Sequence, residues 1–251
     1  MPVDPVEQNG SELVALDRGA ALRLLTKGEL EIVGRLVEAS NATLYCRVRL
    51  DGKQAACVYK PVAGERPLWD FPDGTLAGRE VAAYAVSESA GWGTVPPTAL
   101  RDGPFGPGMC QLWIDVDESA DVVAMLRSSD PRLRPIALFD AVVNNADRKG
   151  GHLLPTETGR IFAVDHGVCF AATDKLRTLL WNWAGEPLAG DESDLLRGLR
   201  SDLDNGLGVV LADLLTPDEI EATAARVDRL LASGTLPVPT DDWPAVPWPP
   251  F

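Results

Sequence analysis

Apolar residues gather in three short consecutive runs, LEIVGRLVEA at 30–39, TLYCRVRL at 43–50 and AACVYKPV at 55–62. Runs of this length and composition, bounded by turn residues, predict β-strands. Ser40-Asn41 and Asp51-Gly52, which separate them, are hairpin chemistry, and Asp-Gly is the stronger signal of the two. An antiparallel meander is therefore expected. Before it, residues 1–10 read as a loose tail, and Ser11 is placed to cap a helix over 12–27 with Leu13, Leu16, Ala20 and Leu24 on one face and Gly28 as its stop. After it comes AGERPLWDFPDG, whose Pro, Gly and aromatic content marks a long ordered loop. A helix over 75–90 follows, with Val81, Ala82, Ala85 and Val86 on its apolar side. Residues 94–103 and 106–116 read as two more strands about a turn at Gly103–Gly108.

The second half changes character. Ser119–Arg127 and Pro131–Asn145 read as helices, and the latter carries Ile136, Leu138, Phe139, Val142 and Val143, enough to be largely buried. It runs into a polar loop, NNADRKGGH, and then a strand-like run, IFAVDHGVCF. Past Phe170 the chain reads as helical and acidic. Thr216-Pro217-Asp218-Glu219 is a capping box opening a helix whose apolar face is Ile220, Ala224, Val227, Leu230 and Leu231. The tail from Pro237 holds six prolines with Trp243, Trp248 and Phe251, and is expected to lie extended along the body. Strands first and helices afterwards, without alternation, predict an α+β fold in two segregated halves, a strand-rich lobe over 1–114 and a helical lobe over 115–251.

With 45% hydrophobic and 24% charged residues, the 251-residue chain can bury a sizeable core. The net charge of −14 argues against nucleic acid and against anionic membrane surfaces, both of which need clustered Lys and Arg. The acidity is uneven: residues 171–251 hold 14 Asp and Glu against 6 Lys and Arg. Cys46, Cys57, Cys110 and Cys169 lie scattered in apolar runs without a CxxC pair, which reads as buried reduced thiols. With no leader-like segment visible, a cytoplasmic protein is expected.

The candidate chemistry lies in the stretch 138–170. It sets Asp147, His152 and Asp165 at the mouth of one site, two carboxylates and an imidazole each adjoining an apolar run. Such a set suits metal-assisted group transfer, one carboxylate taking a hydroxyl proton while the other groups hold metal and phosphate. Lys60 ends a buried-looking strand and has two readings, an edge-strand lysine reaching solvent or an ammonium on nucleotide phosphates oriented by a carboxylate. Glu80 is the candidate partner, and its own alternative is a solvated helix position. Asn145-Ala146-Asp147-Arg148 by itself also reads as capping and loop chemistry. A zinc site from the two histidines and Cys169 lacks a second cysteine at ligand spacing. Trp69 and Phe71 read as a wedge of their loop against the strand-rich lobe, or as a cover for nucleotide or substrate.

Taken together, Lys60, Glu80, NADRKGGH and VDHG resemble the phosphatidylinositol 3-/4-kinase-like superfamily, in particular type II phosphatidylinositol 4-kinases and HipA-like kinases, in a small actinobacterial-type member. The likeness spans about residues 30–170. It implies a two-lobed atypical kinase fold and an ATP-dependent phosphotransferase. In that reading Asp147 is the base, Lys60 lies on the α- and β-phosphates, Glu80 orients it, and Ser40 and Asn41 form the turn above the phosphates. Gln111, Leu112, Trp113 and Ile114 line the adenine pocket, and Asp165 holds the metal. His152 stands where the family has Asn as second metal ligand. An imidazole nitrogen is softer than an amide oxygen, so Mn²⁺ is expected to serve better than Mg²⁺, and an ATP-binding pseudokinase acting as a regulator is the alternative. The segment 64–75 lacks the cysteines that anchor type II lipid kinases. The expected acceptor is therefore a protein Ser/Thr hydroxyl, including the chain's own, or a soluble polyol, with no stable membrane association.

Overall fold

The computed structural model describes residues 17–36 and 41–251. Helix α1 (Arg18–Lys27) is followed by strands β1 (Glu29–Arg35), β2 (Leu44–Leu50) and β3 (Lys53–Pro61). Helix α2 (Leu76–Ser89) leads to β4 (Thr98–Gly103) and β5 (Gly106–Leu112). The five strands form one antiparallel sheet in the order β1-β2-β3-β5-β4. Then come α3 (Val122–Arg127), α4 (Arg134–Val143), a short hairpin of β6 (Leu153–Pro155) and β7 (Ile161–Ala163), and helices α5 (Gly190–Leu203), α6 (Gly206–Ala212) and α7 (Pro217–Ser233). An antiparallel sheet lobe followed by a mainly helical lobe matches the segregated α+β order expected from the chain's pattern and the two-lobed fold that the resemblance implies.

Local chemistry accounts for several elements. Asp51 and Gly52 both take positive φ (50° and 76°), the two-residue hairpin geometry that Asp-Gly favours, and Leu50 pairs with Lys53 across it. Thr216 caps α7 by accepting from Glu219 N, and the Glu219 carboxylate accepts from Thr216 N at 2.9 Å, which is the expected capping box. Alternation along β3 buries Ala55, Cys57 and Tyr59 against α1, with Leu24, Leu25, Cys46, Val48 and Cys110 in the same cluster. All four cysteines are free and buried. Burial pushes the Cys46 thiol up to about 11, so it stays neutral.

Several boundaries differ from the sequence expectation: α3 starts at Val122 rather than Ser119, β4 at Thr98 rather than 94, and β5 ends at Leu112 rather than 116. Helix α1 opens at Asp17, whose Oδ1 accepts from Ala20 N at 2.8 Å. The expected Ser11 cap lies outside the described residues, as do residues 37–39 of the first strand run. The β4–β5 turn is tighter, with Gly103 paired to Gly106. Residues 131–133 form a 3₁₀ turn ahead of α4, and the helix stops at Asn144, which goes left-handed (φ 51°). Segment 171–189, read as helical, is irregular apart from a 3₁₀ turn at Trp181–Trp183. Its backbone partners are tertiary: Arg177 N donates to Asn145 O at 2.9 Å and Arg148 N to Arg177 O at 3.0 Å.

The larger core lies in the helical half and includes Ala82, Ala83 and Val86 of α2 beside Phe139, Val142 and Leu199. Helix α2 therefore shares its core with α4 and α5. The tail packs along the body as expected: Ala245 O accepts from Thr178 N (3.0 Å) and Trp181 Nε1 (2.8 Å), and Pro250 O from Gly150 N (2.9 Å). Among the described residues no helix is long and apolar enough to cross a membrane.

Candidate functional site

Because Cys57 and Tyr59 face α1, the strand period turns Lys60 to the opposite side of the sheet. β5 lies close there. Gly108 pairs with Pro61, and a Cβ at Gly108 would come within 2.5 Å of Lys60 O. Lys60 Nζ donates to Glu80 Oε1 at 2.6 Å and to Asp165 Oδ1 at 2.9 Å. Glu80 sits just past the first turn of α2. That helix is capped by the Glu65 carboxylate, which accepts from Leu76 N (3.2 Å) and Ala77 N (2.8 Å). The second oxygen of Glu80 accepts from His166 N at 2.9 Å, so one carboxylate ties the Lys60 ammonium to the backbone just past Asp165. Glu80 is 1% exposed.

Charge explains how the cluster survives burial. Desolvation alone would lower the pKa of Lys60, but Asp165 and Glu80 more than reverse it and hold the ammonium above its ordinary value. The same ammonium, working against burial, holds the Asp165 carboxyl well below the usual carboxylate range. Asp165 has φ 62°, left-handed backbone that costs an Asp free energy and persists where its surroundings enforce it. The strand ends at Ala163, and that turn leaves the Asp165 carboxylate about half exposed beside the Lys60 ammonium.

On the other side, the loop after α4 is built from side-chain hydrogen bonds. Asn144 donates to Ala171 O (2.9 Å) and Thr173 O (2.8 Å) and accepts from Lys175 N (2.9 Å). Asn145 Oδ1 accepts from Asp147 N at 2.9 Å, and its Nδ2 donates to Asp140 Oδ1 at 3.0 Å. Arg148 is fully buried. Its guanidinium grips Asp140 from Nε (3.0 Å) and Nη2 (2.9 Å), reaches Val164 O from Nη1 (2.8 Å), and donates from Nη2 to His166 Nε2 (2.7 Å). With Nε2 accepting, the neutral His166 ring carries its proton on Nδ1, and burial keeps its pKa well below normal.

Asp147 is partly buried, with Oδ2 3.2 Å from Lys149 Nζ. Burial raises its pKa, Lys149 opposes that, and Asp165 is among the charges that add to it. His152 Nε2 lies 3.4 Å from Asp165 Oδ2, and burial lowers the ring's pKa to about 4, so it is neutral at pH 7. Lys149 N points at His152 Nδ1 from 3.4 Å, which leaves the ring proton on Nε2, facing Asp165. Among the described residues no three or more His, Cys, Asp or Glu side chains converge as a metal cage. One exposed carboxylate oxygen beside one imidazole fits a cation whose shell is completed by phosphate oxygens and water, the usual arrangement for Mg²⁺ at phosphate sites.

The remaining expected positions are distributed as follows. Gln111 pairs with Val58 and shares the Lys60 face, buried, with Nε2 donating to Thr98 Oγ1 at 2.8 Å. The Leu112 side chain turns to the α1 cluster. Trp113 N donates to Ala56 O at 3.1 Å, and its ring stands edge-on to Tyr45 with centroids 4.9 Å apart. Ile114 follows, half-buried. Asn41 Oδ1 accepts from Arg66 N at 2.9 Å, pinning the β1–β2 turn to the loop after β3. Ser40 lies outside the described residues. Trp69 is 86% exposed and wedges against nothing. Phe71 packs on Leu76 and Ala171, toward the helical lobe, between the Arg79 guanidinium (4.7 Å) and the Lys175 ammonium (4.3 Å). The wedge reading puts both on the strand-rich lobe, whereas Phe71 bridges the two halves, held by one cation from α2 and one from segment 171–175.

Several residues that support this cluster carry no signal in the motifs. Asp140, a lone charge inside LFDAVV, was a visible anomaly. Tyr45 follows from strand register. Arg79, 1% exposed, donates to Cys169 O at 2.7 Å and to Glu219 of α7, which anchors α2 to the helical lobe one residue from Glu80. No short-range pattern announces that pair.

No protein-family model matches the chain. It is 42% identical to Protein Rv2133c of Mycobacterium tuberculosis over 91% of this chain and 94% of that one. It is 25% identical to phosphatidylinositol 4-kinase gamma 4 of Oryza sativa over 82% of this chain, and 30% identical to the like-named Arabidopsis thaliana protein over 52%. The matches cover 44% and 28% of those two plant kinases, so the chain spans less than half of either. Among solved structures, the fold is similar to the Helicobacter pylori proinflammatory kinase CtkA with a TM-score of 0.51 at 12% identity, covering 84% of this chain and 94% of that one. That likeness is one of fold.

Proposed function

The chain belongs to the family of the Mycobacterium tuberculosis protein Rv2133c, and from its fold and the geometry around Lys60 we propose that it is an atypical kinase moving the γ-phosphate of ATP to a hydroxyl group. The observation that carries this reading is the triangle of Lys60, Glu80 and Asp165, with the ammonium 2.6 Å and 2.9 Å from the two carboxylates. Its parts come from the sheet lobe, from α2 and from the loop after β7. A lysine braced by a helix carboxylate, beside an aspartate at a strand end, is the arrangement that grips a triphosphate in kinases.

Each side chain then has a task. Tyr45, Val58 and the β5 end from Gln111 to Ile114 form the wall against which the adenine lies. Lys60 contacts the α- and β-phosphates while Glu80 keeps it in place. Asp147 accepts the proton as the acceptor oxygen bonds to the γ-phosphorus and the bond to the β-phosphate oxygen breaks, releasing ADP. Burial raises the pKa of Asp147, which suits it to that proton. Asp165 would hold a divalent cation, with His152 beside it as the tautomer that carries its proton on Nδ1 and gives up the contact with Lys149 N. The cation, Mg²⁺ or preferentially Mn²⁺, supplies neutralisation of the phosphate charge.

The acceptor we favour is a Ser/Thr hydroxyl of a protein, this chain included, or a soluble polyol. A net charge of −14 opposes approach to an anionic bilayer, although two relatives bear the name of a lipid kinase. His152 at the expected second metal position supports a second reading, a nucleotide-binding regulator without turnover. The test is γ-labelled ATP with either metal, offered the chain alone, a Ser/Thr-rich protein, inositol or phosphatidylinositol vesicles. Transfer lost in both Asp147→Ala and Asp165→Asn supports the kinase. ATP binding with no transfer supports the regulator, and transfer to the vesicles alone overturns the soluble acceptor.

A further inference from the structure

The helical lobe has a second opening that the kinase reading does not use. A cavity of about 370 Å³ lies between α4, α7, the segment 174–181 and the tail. That volume is within the range of small-molecule sites, roughly 300–1,000 Å³. None of the proposed catalytic, phosphate-binding or metal-holding residues lines it.

Its wall has two characters. Leu230 of α7, Leu236 and Val238 of the tail, and Trp181 give an apolar surface. Three cations, Lys175, Arg226 and Arg229, also line it, against one lining carboxylate, Asp174. Both oxygens of Asp174 are already taken, by Arg226 Nε at 2.9 Å and Arg229 Nη2 at 2.6 Å. Asp70, outside the lining, pairs with Lys175 Nζ at 2.7 Å. Three cations against two carboxylates leave one positive charge over, in a protein whose net charge is −14.

The cations differ in what they have left to give. Arg226 is 4% exposed and is used up on Asp174, Thr223 Oγ1 and the carbonyls of Ala171 and Ala172. Arg229 is more than half exposed and, among the described residues, gives Asp174 a single hydrogen bond, so most of its fork is open. Trp243, which also lines the cavity, has its indole N–H buried without a partner among the described residues. Buried donors are normally satisfied, and an orphan marks a place where a ligand or water belongs.

We infer that this cavity binds a small amphipathic monoanion, a carboxylate with an apolar body. Its acidic head is drawn to Arg229 and the unpartnered indole N–H, and its body lies against Leu230, Leu236 and Val238. The surplus charge selects an anion over a neutral or cationic amphiphile of the same length, and the apolar wall selects against inorganic anions.

Octanoate is the probe, with octanol and octylammonium as neutral and cationic counterparts, titrated calorimetrically into the full chain without nucleotide. One saturable octanoate site is expected, bound about tenfold tighter than either counterpart, the equivalent of one favourable ion pair. Arg229→Gln is expected to remove that preference while leaving octanol binding unchanged. Thr240→Trp, on the exposed tail segment lining the cavity, is expected to block all three compounds without lowering the melting temperature of the free protein. The assignment is overturned by absence of saturable octanoate binding, by equal binding of a counterpart, by wild-type octanoate affinity in Arg229→Gln, or by unchanged binding in Thr240→Trp.

Discussion

Arg148→Met is expected to be among the most costly single changes near Asp165. The guanidinium and the Asp140 carboxylate are both fully buried, and every partner of the arginine is identified. Among the described residues, removing it leaves Asp140 with only the amide of Asn145 (3.0 Å) and the hydroxyl of Thr178 (3.3 Å). It also strips Val164 O and His166 Nε2 of their donor. A buried pair broken on one side costs about 3–5 kcal/mol, against a total stability of about 5–15 kcal/mol for a folded domain. Asp140→Leu orphans the arginine instead and is expected to cost a similar amount. The double variant Asp140→Leu/Arg148→Met removes both charges, so its loss should fall short of the sum of the singles by about 1–3 kcal/mol. The assay is equilibrium urea unfolding followed by tryptophan fluorescence, with slopes compared across variants. A loss below about 1 kcal/mol in Arg148→Met, or singles that add to within about 0.5 kcal/mol, would refute the reasoning.

Arg79→Gln should lower stability by about 3 kcal/mol, because Glu219 is left buried beside an uncharged partner. It should also raise the KM for ATP by loosening the helix that carries Glu80, and an unchanged KM in a folded variant removes Arg79 from the site's support. Gly108→Ala should cost about 1–3 kcal/mol, since its methyl meets the backbone of Lys60 and Pro61. Gly150→Ala should cost under about 1 kcal/mol, since only the half-exposed ring of Phe251 must swing aside, and the two melting temperatures compare them directly. For pH, Asp147 must be ionised to take a proton and its pKa is raised from the ordinary 3.8, so the acid limb of kcat/KM should lie above that value. Lys149 lowers it, so Lys149→Gln should move the limb to higher pH, and a limb that stays put or moves down counts against Asp147 as the base. His152→Asn exchanges an imidazole for an amide oxygen and should shift metal preference from Mn²⁺ toward Mg²⁺, read as the ratio of initial rates in each metal.

Neighbouring residues alone decided a good deal of this molecule. Asp51-Gly52 closes its hairpin, Thr216 and Glu219 open α7, and alternation along β3 puts Lys60 on the face opposite Tyr59, because dihedral preference and i-to-i+3 hydrogen bonding act over a few residues. The grouping of Lys60, Glu80, Asp147, His152 and Asp165 was legible as an ordered set of short motifs, but not the distances among them. Other outcomes needed the folded chain. Segment 171–189 gives up helix to satisfy the backbone of the loop after α4, and Phe71 is held between Arg79 of α2 and Lys175 of the helical lobe. Arg79 meets Glu219 140 positions away, and Arg148 finds Asp140 inside an apolar helix. A charge far from water is tolerable only where an opposite charge and hydrogen-bond partners arrive together, and which residues arrive is set by how the two lobes pack, which no local stretch of the chain encodes.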